Sequence, residues 1–132
     1  MPSTPPPSPS PIREPRGPGD PTPAETARTW IVLGDLHDKA ARLGDVRGLE
    51  EADGVIVTGD LTVTGGVAQA RKVLEKLTRY NPVIYAQIGN MDRAEITDWL
   101  AEQGWNTHIC VRELAPGVAI MGLGGSTFTP FG

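Results

Sequence analysis

The sequence predicts an α/β fold with a mainly parallel sheet flanked by helices, on three observations. Short apolar, β-branched runs alternate with helix-compatible segments from residue 29 onward, an order that implies right-handed βαβ crossovers. Three of those runs end in Gly-Asp or Gly-Asn, at the edge where parallel sheets bind ligands. Ten of the 13 prolines lie between Pro2 and Pro23, a segment whose single large aliphatic residue is Ile12. Residues 1–28 are therefore expected to be a disordered, partly extended tail that does not contribute to the sheet. Its PxxP spacings would also suit a proline-binding domain, and a misplaced start codon would produce such a tail as well.

The elements follow in order. "TWIVLGD" (29–35) is the first strand, and "HDKAARLGDVRGLEEA" (37–52) is helix-compatible with two glycines that mark a break. "GVIVTGD" (54–60) is the second strand. "GGVAQARKVLEKLTRY" (65–80) spaces Val67, Ala70, Val73, Leu74 and Leu77 along one helical face. "NPVIYAQIGN" (81–90) is the third strand, with Pro82 at its start where a missing N–H is tolerated. "AEITDWLAEQG" (94–104) is a helix stopped by Gly104, with Trp99 and Trp105 expected to pack. "THICVREL" (107–114) and "GVAIMGLGG" (117–125) read as further strands.

Composition narrows the function classes. The 132 residues carry a net charge of −4, which gives no general attraction for nucleic acid or anionic membranes. No apolar run approaches the roughly 20 residues of a membrane span, and the first residues show neither the charged start nor the apolar stretch expected of a secretory signal. The lone Cys110 fits a cytoplasmic protein, and nothing near it in sequence marks a reactive thiolate. "GLGGS" lacks the lysine of a P-loop, and the first strand lacks the glycine fingerprint of a nucleotide-binding Rossmann domain.

What remains lies at the strand ends. Taken singly, Gly34-Asp35, Gly59-Asp60 and Gly89-Asn90 are ordinary turn dipeptides. Taken together on neighbouring strands, Asp35, His37, Asp60 and Asn90 would converge on one edge of the sheet. Two carboxylates, an imidazole and an amide oxygen suit a divalent ion such as Mn, Fe, Ni or Zn. The glycines allow the backbone to approach such an ion closely and to bend sharply out of the strand.

"GDLHD", "VTGDL" and "IGNMDR", in that order, resemble the calcineurin-like metallophosphoesterases, especially small prokaryotic members with a segment like "GLGGSTFTPFG". The resemblance implies an αββα sandwich of which residues 29–132 would be the N-terminal part. It implies two divalent ions (Mn, Fe, Ni or Zn), Asp35 and His37 holding the first, Asp60 bridging and Asn90 holding the second. It implies hydrolysis of phosphomonoesters or phosphodiesters by a metal-bound water or hydroxide, on small-molecule substrates. Arg93 is a candidate for reaching phosphate, and Asp92 for standing behind the ligands or capping the helix near Ala94.

Two departures accompany it. Met91 stands where many members carry histidine, and a thioether has no proton to give a leaving group. The later histidine ligands, including a Gly-His-x-His motif, are not found before Gly132, and His108 is expected to lie on the sheet surface. The expectation is thus an incomplete domain with a second metal site short of ligands and one apolar sheet face uncovered, which an oligomer could cover. A catalytically inactive fragment or pseudoenzyme acting as a binding module is the alternative.

Overall fold

A computed structural model describes residues 27–125. The expected tail lies outside the described residues apart from its last two positions, as does the stretch from 126 to 132.

Three apolar runs pair as the alternation requires. Strands β1 (Trp30–Leu33), β2 (Gly54–Val57) and β3 (Ile84–Ala86) form a parallel sheet in the order β1-β2-β3. The register matches Trp30 with Gly54 and Leu33 with Val57, then Val55 with Ile84 and Val57 with Ala86. Single bridges continue the sheet, Ala86 to Asn106 and His108 to Gly122, both parallel.

Helix α1 (Val67–Tyr80) buries Ala70, Val73, Leu74 and Leu77, the face its 3.6-residue spacing selects. Helix α2 (Glu95–Glu102) buries Ile96, Trp99 and Leu100, and Trp99 meets Trp105 edge-on with ring centres 5.8 Å apart. These side chains cover one sheet face, where Val55, Val57, Ile84 and Ala86 are all buried. Period-two alternation sends Val32 to the other face, where it is 60% exposed. Among the described residues no helix is long and apolar enough to cross a membrane.

Two elements differ from the sequence expectation. Residues 37–52 form no α-helix, only a short 3₁₀ helix over Ala40–Asp45 followed by turns. The two residues that this segment buries, Leu43 and Leu49, are six positions apart. On an α-helix that spacing would put them about 120° apart around the axis. An irregular path lets both face the core. The last two runs pair antiparallel as β4 (Val111–Ala115) and β5 (Val118–Met121), a ribbon separate from the main sheet, while residues 106–108 remain beside β3. The chain turns out of the main sheet at Ile109, which has a φ of +48°.

Asn81 fixes the corner between α1 and β3. It is buried, its Nδ2 donates to the carbonyls of Leu49 (3.0 Å) and Ala52 (2.9 Å), and its Oδ1 accepts from the Val83 N–H (3.0 Å). Asn81→Ala would leave three backbone groups without these partners. It is expected to lower stability by about 1–3 kcal/mol, read by denaturant titration.

Candidate metal centre

The loop after β1 runs alongside the loop after β2 and extends the parallel pairing past the strands. Asp35 N–H donates to Gly59 O (3.2 Å), His37 N–H to Asp60 O (3.0 Å) and Asp38 N–H to Leu61 O (3.0 Å). Asp35 and His37, two residues apart, thereby lie beside Asp60. One ligand atom from each falls within 4.8 Å of the other two. His37 Nε2 is 3.7 Å from Asp35 Oδ1 and 3.9 Å from Asp60 Oδ2. The side chains of Asp35, His37 and Asp60 are 79%, 32% and 11% exposed, which places Asp60 at the floor and Asp35 at the rim.

Asn90 enters from the loop after β3. With its amide nitrogen turned toward Asp60 it donates to Oδ2 (3.0 Å) and Oδ1 (3.1 Å). A half-turn of the amide presents its oxygen instead, an arrangement that suits two acceptors when a cation or another donor stands between them. The backbone N–H of Met91 also donates to Asp60 Oδ1 (2.9 Å). All four residues picked out at the strand ends therefore meet at one place.

Two observations fit these residues to a divalent ion. Ligand atoms bound at about 2.1 Å and about 90–110° apart stand roughly 3.0–3.4 Å from one another. The separations at His37 exceed that by a few tenths of an ångström, within reach of small rotamer changes. The backbone carries the second observation. Asp35, His37, Asp38 and Asp60 have φ of +51°, +45°, +63° and +53°, a left-handed conformation uncommon outside glycine. Aspartate and histidine enter this region more readily than other side chains, and the grouping of four such residues marks these loops as a candidate functional site.

The two glycines between the loops make the approach possible. A Cβ on Gly59 would stand 2.7 Å from the Gly89 Cα, and one on Gly89 would fall on the backbone nitrogen and carboxylate of Asp60. Only bare backbone fits on both sides of that contact.

Asp92 and Arg93 take other places. Asp92 is buried and does not cap α2, whose N-cap is Ala94. Its carboxylate accepts from Leu61 N–H (3.0 Å), Thr62 N–H (2.9 Å), Thr62 Oγ1 (2.9 Å) and Gly89 N–H (2.9 Å). Exposed Arg93 donates from Nε to the Thr64 carbonyl (3.3 Å). His108 is half-buried, and its Nδ1 accepts from the Gly124 N–H (2.8 Å). Thr62, fully buried, is announced by no sequence pattern, nor is Asp38, whose Oδ2 accepts from Val63 N–H (3.1 Å).

Residues 29–129 match the family model described as calcineurin-like phosphoesterase. No curated protein and no solved structure matches the chain.

Proposed function

Because the chain belongs to the calcineurin-like phosphoesterase family, we propose that it is a metal-dependent hydrolase of small-molecule phosphate esters. Asp35 and His37 would hold one divalent ion, Asp60 would lie between two, and Asn90 would face the second. The observation that carries this is the convergence of Asp35, His37 and Asp60 within 4.8 Å. When bound, such ions supply Lewis acidity toward a phosphoryl oxygen and a water acidified for attack on phosphorus.

The chain's own residues set the terms of that chemistry. Asp60, nearly buried, puts negative charge at the floor where cations would sit, and low solvent access strengthens its attraction for them. Asn90 adds a ligand oxygen without adding charge. Arg93 carries a guanidinium suited to a phosphate oxygen. Met91 offers no proton to a departing alkoxide, so esters with good leaving groups are the favoured substrates.

Calorimetric titration with Mn²⁺, followed by hydrolysis of bis-p-nitrophenyl phosphate, tests the proposal. Mn²⁺ binding and turnover that a chelator abolishes are expected. Absence of Mn²⁺ binding refutes the site, while binding without turnover supports a binding module instead of an enzyme.

A further inference from the structure

We infer that Asp92 is a positioning residue that clasps the Asp60 loop to the Asn90 loop and so sets the spacing of the metal ligands. The inference rests on the metal-site proposal above and deepens it. A single atom carries the main link. Asp92 Oδ2 accepts from the N–H of Leu61, the residue after Asp60, and from the N–H of Gly89, the residue before Asn90. Asp92 Oδ1 accepts two more bonds, both from Thr62.

The link is reciprocal. Asp92 belongs to the β3 loop and grips the β2 loop, while Asp60 belongs to the β2 loop and accepts from Met91 N–H in the β3 loop. Thr64 N–H donates to the Met91 carbonyl (2.9 Å), closing the same seam further out. Asp60 must also face a cation if it is a ligand, so its own bond to Met91 competes with that duty. Asp92 carries no such second duty. It is 4% exposed and spends both oxygens on the two loops. Bonds from neutral donors to a buried carboxylate are stronger than neutral pairs and hold direction as well as distance. The Thr62 hydroxyl extends the clasp to Gly65, whose N–H donates to Oγ1 (3.0 Å) at the entry to α1.

Asp92→Asn keeps the shape but turns an N–H₂ toward one pair of donors, so half of the clasp is lost and replaced by repulsion. The experiment measures the Mn²⁺ dissociation constant of the full chain by calorimetry, corrected to the folded fraction from circular dichroism. Asp92→Asn is expected to weaken Mn²⁺ binding by about 10–100-fold, the usual effect of removing a group that orients ligands. A merely structural role would lower the melting temperature and leave the affinity of folded molecules unchanged. Thr62→Val, which removes one of the four donors to Asp92 together with the acceptor of the Gly65 N–H, provides the same readout if Asp92→Asn does not fold. It is expected to weaken Mn²⁺ binding less, and Thr62→Ser to restore it. Wild-type affinity in folded Asp92→Asn or Thr62→Val overturns the positioning role and leaves the metal site standing. No Mn²⁺ binding by the wild-type chain overturns the site, and the inference with it.

Discussion

Asp60→Asn is expected to weaken Mn²⁺ binding on the order of 100-fold and to depress phosphodiester hydrolysis with it, while leaving the fold intact. The substitution changes charge and little else. Asparagine tolerates the left-handed φ of +53° as aspartate does. Its carbonyl oxygen can still accept from Met91 N–H, and its new N–H₂ can donate to the Asn90 oxygen once that amide turns over. The melting temperature should therefore stay close to wild type. The electrostatic loss is large. Two unit charges 4 Å apart interact by about 4 kcal/mol at an effective dielectric constant of 20, and a divalent ion doubles that. If hydration returns two thirds of it, affinity still falls on the order of 100-fold. Calorimetry on the variant decides the matter. Wild-type Mn²⁺ affinity in Asp60→Asn would remove Asp60 from the site.

Much of this arrangement was legible in the residues. β1, β2 and β3 could be read because each is a short apolar run, and each run ends in glycine and an Asx residue. The rule that parallel sheets bind ligands beyond their carboxyl ends then pointed to Asp35, His37, Asp60 and Asn90. The structure brings those four together. The segment 37–52 could not be read as it folds. Its composition suits a helix, but the packing of Leu43 and Leu49 against the core depends on contacts distant in sequence. The same limit left Asp92 open between standing behind the ligands and capping the helix. In sequence it stands two residues before Ala94 and resembles a cap, and only the register of the loops shows that Leu61 and Thr62 lie within its reach. Local patterns identify elements and their ends, whereas a clasp between loops 30 residues apart is a property of the assembled sheet.

Gly89→Ala is expected to be the most damaging small substitution in the described chain. Its methyl group would fall on the Asp60 nitrogen and Oδ1, and 2.7 Å from Asp60 Cγ. Nothing there can swing aside cheaply. The nitrogen is backbone, and the carboxylate is held by Met91 N–H. Facing it, Gly59 already brings its own backbone against Gly89, so neither loop has room to retreat. Overpacking costs about 1–3 kcal/mol and occasionally more, and with backbone on both sides of the contact the upper end is expected here. For a domain of this size, about 3 kcal/mol corresponds to a melting temperature lower by roughly 12–24 °C. The metal site should suffer beyond the loss of stability, because the relief available is to push Asp60 away from Asn90. Gly117→Ala is the control. Gly117 also has a positive φ, +79°, but no atom lies within 4 Å of its added methyl group. Only the left-handed conformation opposes that change, at about 1–2 kcal/mol. Thermal melts and Mn²⁺ titrations of the two variants separate the effects. Gly117→Ala should melt moderately lower with unchanged Mn²⁺ affinity, whereas Gly89→Ala should lose both stability and binding. If Gly89→Ala binds Mn²⁺ like the wild type, close contact between the two loops is not what brings the ligands together.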